Sequence, residues 1–87
     1  MTQNDLLEKY EKHIPSGWYG FDSIPDEWCP DIDNLLSRMI EKTPDLEIHQ
    51  IKTKFGGLRF YTNCTDEEFN KEISELEDKC YSKKYQY

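Results

Sequence analysis

Lys52, Lys54, Arg59 and Tyr61 lie in the stretch His49–Thr62, which has no acidic residue. An arginine beside lysines and a ring is anion chemistry. The guanidinium forks onto a phosphate or carboxylate, the ammonium groups add point charge, and the ring stacks on a flat ligand. Trp18, in the upstream segment Gly17-Trp18-Tyr19, is a candidate second ring. In this reading Trp18, Lys52, Lys54, Arg59 and Tyr61 line a site for an anionic metabolite or a nucleotide signal. Two plainer readings compete with it. The cations could pair with carboxylates on neighbouring helices, or the lysines could guard an exposed strand against edge pairing.

The rest of the chain is acidic. Its 87 residues carry a formal net charge of -7, so the overall field disfavours direct binding to nucleic acid. It favours a basic partner, such as a protein whose own ligand is nucleic acid. Asp66, Glu67, Glu68, Glu72 and Glu75 cluster on one predicted helix and are candidates to stand in for phosphates on such a partner. The plainer reading is that surplus carboxylates keep a small protein soluble.

Catalytic patterns are missing. The sequence holds no G-x-S-x-G elbow, P-loop, H-E-x-x-H or Gly-rich dinucleotide fingerprint. Cys29, Cys64 and Cys80 form no C-x-x-C pair, so they read as small core hydrophobes rather than metal ligands. The expectation is a non-enzymatic protein without cofactor or metal. No apolar run reaches the length of a membrane span, and the first residues lack the pattern of a signal peptide. The expected location is the cytoplasm, with reduced thiols.

The element that must position the cations is a β-hairpin. Two runs rich in β-branched and aromatic residues flank Gly56-Gly57, and glycine supplies the positive φ of a tight turn. With these glycines as the loop, Phe55 pairs with Leu58 and Lys54 with Arg59. One face then holds Ile51, Thr53, Phe55, Leu58, Phe60 and Thr62, and the other Gln50, Lys52, Lys54, Arg59 and Tyr61.

Helices surround this hairpin. Thr2 and Asp5 suit the start of a helix running to about His13, with Leu6, Leu7, Tyr10 and Ile14 on one face. Ile32, Leu35, Leu36, Met39 and Ile40 mark a second, from Pro30 or Asp31 to about Lys42. Thr65 and Glu68 read as the capping box of a third, whose stripe is Phe69, Ile73, Leu76 and Cys80 and whose C-terminal end carries Lys79, Lys83 and Lys84. Residues 17–30, with Trp18, Tyr19, Phe21 and Trp28, have no period and read as an ordered loop pinned by rings, which either lid the core or serve function. The expected fold is a single α+β domain over residues 1–87: a hairpin, or a small antiparallel sheet, packed on about three helices. The chain has neither Ala nor Val, so its twelve aromatic residues must supply much of the core volume.

At the hairpin, Gln50-Ile51-Lys52-Thr53-Lys54-Phe55-Gly56-Gly57-Leu58-Arg59-Phe60-Tyr61 resembles the core of a family of small phage and prophage proteins with a Q-[VI]-K-x-K-F-G-x-L-R-F-Y stretch. Gly17-Trp18-Tyr19 and Ile73-Ser74-Glu75-Leu76-Glu77 resemble the family's upstream Gly-Trp segment and downstream acidic helix. Relatives often finish with a C-x-x-C-G knuckle, whereas Cys80 is followed by Tyr81-Ser82-Lys83. The resemblance implies a phage-type origin and a shared fold. Combined with the acidity, the leading expectation is an accessory protein that blocks a bacterial host component, most directly a defence effector with a basic nucleic-acid-binding surface. The alternative is a binder that sequesters an anionic metabolite or nucleotide immune signal on the hairpin's basic face.

Overall fold

The computed structural model describes residues 1–81. The fold is a small α+β arrangement of three helices and one three-stranded mixed sheet. In chain order these are α1 (Gln3–Tyr10), β1 (Gly20–Asp22), α2 (Cys29–Lys42), β2 (Ile48–Lys54), β3 (Gly57–Thr62) and α3 (Glu67–Lys79). The expected cationic end of the third helix is met by Lys79, while Lys83 and Lys84 lie outside the described residues.

α1 and α3 begin where side chains take up their free amide hydrogens, whereas α2 has no side-chain cap. At α1 the box is reciprocal: Thr2 Oγ1 accepts the Asp5 amide, and the Asp5 carboxylate accepts the Thr2 amide at 2.8 Å. The helix stops at Tyr10, short of the expected His13, and Glu11–His13 tightens into a 3₁₀ turn. In α2, Pro30 sits in the first turn, where its missing N–H costs nothing, and Ile32, Leu35, Leu36 and Met39 are buried as their spacing predicts. The start of α3 corrects the sequence reading. Asp66, not Thr65, is the N-cap, and its carboxylate accepts the amides of Glu68 and Phe69 at 2.9 and 3.2 Å. A carboxylate also complements the positive end of the helix dipole, which a threonine hydroxyl does not.

The sheet order is β1-β2-β3. β2 and β3 form the expected antiparallel hairpin, but β1 pairs with β2 in parallel, so the sheet is mixed rather than a bare hairpin or an antiparallel sheet. This strand lies inside the segment read from sequence as an irregular loop. Gly20, at φ +75, turns the chain into it, and Phe21 then lies beside Ile51 with both side chains buried.

The hairpin turn sits one residue upstream of Gly56-Gly57. Phe55 and Gly56 are its central residues, at φ +53 and +83, and Lys54 pairs with Gly57. Positive φ at both central positions is the I′ pattern, whose twist matches that of the flanking strands. The pairs become Thr53–Leu58, Lys52–Arg59, Ile51–Phe60 and Gln50–Tyr61. Phe55 therefore leaves the core face for the hairpin tip, where it is 79% exposed. The other members keep their faces, because moving the turn changes a residue's partner without changing the alternation along either strand.

A β-bulge between Ile48 and Gln50 does further work. It lets Ile48 and Ile51, three apart, both point inward, and leaves His49 and Gln50 together on the outer side. One buried cluster joins Phe21, Ile48, Ile51, Leu58 and Phe60 from the sheet to residues of all three helices. The helices therefore cover a single face of the sheet. Phe21 and Trp28 are buried in that cluster, but Trp18 is not.

Candidate functional site

The second sheet face carries no helix among the described residues, and the pairing registers place its side chains in rows. Arg59, Lys52 and Asp22 lie side by side across β3, β2 and β1, and Tyr61, Gln50 and Gly20 form the next row. Beyond them Trp18 stacks on the ring of His49, with centroids 4.6 Å apart and planes 15° from parallel. The His49 Nε2 lies 3.2 Å from the Glu47 carboxylate, which fixes the ring that Trp18 covers.

At the hairpin end, Gly57 and Lys54 form the last row. Gly57 forms an antiparallel bridge with Tyr81, just past α3, so the Tyr81 side chain shares the face of Gly57. A Cβ on Gly57 would stand 3.4 Å from the Tyr81 ring, so glycine lets the ring lie close to the strand. Lys54 Nζ sits 5.7 Å from the centroid of the Phe55 ring at the tip.

All five residues expected to line an anion site thus fall on or beside one face. Trp18 and Tyr61 are half-exposed, at 50% and 48%. Sequence reasoning missed three rings there: His49, Phe55 and Tyr81. Nothing local signals Tyr81, which reaches the face only because α3 packs alongside β3. His49 is displaced to the outer side by the bulge, which the alternation of residue types does not announce.

Among the described residues four cations are ion-paired, whereas Lys12, Lys52, Lys54, Arg59 and Lys71 are not. Lys9, Arg38, Lys42 and Lys79 each contact a helix carboxylate: Asp33 at 2.8 Å, Glu72 at 2.8 Å, Asp66 at 2.7 Å and Asp31 at 3.1 Å. Lys52, Lys54 and Arg59 make no ion pair among the described residues. Among the helix carboxylates, Glu77 reaches the edge of β3, where it accepts the Phe60 amide. Asp22, the nearest acid by register, instead accepts the Ser23 hydroxyl at 3.2 Å. Lys52 and Arg59 are also directly opposite each other, a like-charge pair that weakens a hairpin unless an anion joins it.

The candidate acidic surface is partly committed to the fold. Asp66 caps α3 and binds Lys42, and both contacts hold its carboxyl below the usual range, the Lys42 hydrogen bond first and the Phe69 amide next. Glu72 is taken by Arg38. Glu67, Glu68 and Glu75 remain exposed on α3. Two grooves lie off the open sheet face. One runs between α2 and α3 past Arg38 and Glu72, and the other is bounded by Lys12, His13, Pro15 and Pro44. No cluster of three or more His, Cys, Asp or Glu side chains suited to a metal ion occurs among the described residues. No helix among them is long and apolar enough to cross a membrane.

No family model, no curated protein and no solved structure matches this chain.

Proposed function

We propose that this chain is a non-enzymatic binding protein that holds an anionic, ring-bearing ligand of the nucleotide class on its open sheet face. The observation that carries this reading is the state of Lys52, Lys54 and Arg59. They share one face of the sheet, and none has an ion-pair partner among the described residues. A phosphate placed over the Lys52–Arg59 pair relieves their mutual repulsion and takes the guanidinium fork. Trp18, stacked on His49, and Tyr61 offer flat surfaces beside it. The phage-type resemblance makes the natural setting a bacterial host cell, where an accessory protein of this kind sequesters a ligand of the host's defence.

The other reading, an acidic decoy for a basic host effector, has less surface to draw on than the sequence suggests. Asp66 and Glu72 already bind cations of α2, leaving Glu67, Glu68 and Glu75. The discriminating experiment is calorimetric titration of the chain and its Arg59→Ala variant with a panel of nucleotides. Binding that falls at least tenfold in the variant supports the sheet-face reading. Absence of binding across the panel by the native chain overturns it.

A further inference from the structure

Resting on that reading, we infer that the ligand is a single-stranded nucleic acid with at least two bases seated on the sheet face at once, rather than a free mononucleotide. The order of side chains along β3 carries the inference. The Tyr81 ring lies against Gly57, Arg59 follows two residues on, and Tyr61 two residues beyond that, all on one face. At the rise of a strand the two rings stand roughly 13 Å apart, with the guanidinium between them. One base cannot cover both rings. A chain of bases joined by phosphates can, with a phosphate over Arg59. Lys52 and Lys54, opposite Arg59 and Gly57 on β2, then flank the backbone along its length. The Trp18–His49 stack extends the row of flat surfaces past Tyr61. Stacking on exposed rings of an open sheet is how unpaired bases are commonly held, and it tolerates any sequence because every base has a π-face.

The net charge of -7 is the obvious objection, and the fold answers it. The carboxylates of α1 and α2 lie behind the sheet and the core, and Glu77 of α3, which reaches the edge of β3, is taken by the Phe60 amide. The exposed charges of the helices interact with a ligand on this face through solvent, where physiological salt screens them over ~8 Å. At that ionic strength the distant carboxylates repel weakly while the contacts at Lys52, Lys54 and Arg59 persist. A duplex buries its base faces, so the rings would contribute nothing to it.

The test is fluorescence anisotropy with labelled single-stranded DNA and RNA of about eight nucleotides, beside the matching duplex, an abasic strand, a mononucleotide and polyglutamate. The expected result is that a single strand binds at least tenfold tighter than every other probe. Tyr61→Ala and Tyr81→Ala should each weaken it by roughly 5- to 100-fold, the range of one lost base stack. Tyr81→Phe should retain binding, and circular dichroism of each variant checks that the fold is intact. A mononucleotide that binds as tightly as the strand overturns this inference while leaving the sheet-face reading in place. Equal binding of the abasic strand, the duplex or polyglutamate also overturns it. Failure of every probe overturns both.

Discussion

The Glu77 carboxylate accepts the backbone amide hydrogen of Phe60 at 3.0 Å, across the outer edge of β3. Two residues earlier on the same strand, the Leu58 amide donates to the Cys80 carbonyl at 3.1 Å. The outward amides of β3 at these positions are thus taken by the C-terminal end of α3, where a further strand would otherwise add. This contact explains how a short sheet with an exposed face avoids edge-to-edge pairing. It also fixes the chain so that Tyr81 reaches Gly57. Replacing Glu77 with Ala leaves the Phe60 amide without its partner and should cost about 1–2 kcal/mol in urea denaturation. Glu77→Gln keeps an acceptor and should lose less than half of that. Equal losses in the two variants would show that the hydrogen bond is not the source.

The turn gives a prediction of opposite sign. Phe55 is held at φ +53, where a side chain other than glycine costs roughly 1–2 kcal/mol. Asn tolerates that conformation, and Asn-Gly is the favoured pair for this turn, so Phe55→Asn should raise the stability by about 0.5–1 kcal/mol. Gly56→Val, at φ +83, should lower it by more than that and lower the melting temperature accordingly. Differential scanning calorimetry of the two variants checks both signs. A stabilised Phe55→Asn means that the native chain gives up stability to keep an exposed ring at the hairpin tip, a local violation of the kind found at functional sites.

These two relationships mark where the sequence stops being legible. The stripes of α2 and α3 are readable because burial on one side of a helix must repeat near every third or fourth residue. The two faces of the hairpin are equally readable, and Lys52, Lys54, Arg59 and Tyr61 share the open one as the alternation requires. The turn is not, because Gly56-Gly57 satisfies the same alternation as Phe55-Gly56. The choice between them depends on tertiary packing, including the bulge after Ile48 and the fit of Gly57 under Tyr81. The strand β1 is invisible for a similar reason. Three residues beginning with glycine carry no period, and their pairing is decided by Phe21 meeting Ile51 in the core. The rings that the sequence reading missed, His49, Phe55 and Tyr81, are therefore those placed by the bulge, the turn and the α3 contact.

The cysteines should separate by reactivity. Cys29 and Cys80 are buried, at 0% and 2% exposure, while Cys64 is only partly covered. Burial pushes the Cys80 thiol up to about 11, with Asp31 adding to it, and burial likewise raises Cys29. A thiol that stays protonated and covered is a poor nucleophile. At pH 8, labelling with a thiol reagent followed by peptide mass spectrometry should modify Cys64 rapidly and the other two only after denaturant is added. Rapid modification of Cys80 in the native chain would contradict the packing of the α3 terminus against β3.

Acid should loosen the α2–α3 contact through Asp66. Its carboxyl is held below the ordinary value of 3.8 by the Lys42 hydrogen bond and then by the Phe69 amide. The folded form therefore binds the proton less readily than the unfolded form. The contribution to stability is complete above the ordinary value and is lost as pH falls through the lowered one. Asp33 behaves alike: burial pushes it up, but hydrogen bonds from Lys9 and Tyr10 outweigh burial and leave it lowered. Asp66→Asn retains a capping oxygen for the Glu68 and Phe69 amides but removes the charge facing Lys42. The variant should be less stable than the native chain at neutral pH, with a gap that closes as the pH is lowered below 3.8, because the native carboxyl then becomes neutral as well. Parallel urea titrations of the two proteins from neutral to acid pH measure this gap. A difference that stays constant across the range would mean that Asp66 acts through its shape as a cap and not through its charge.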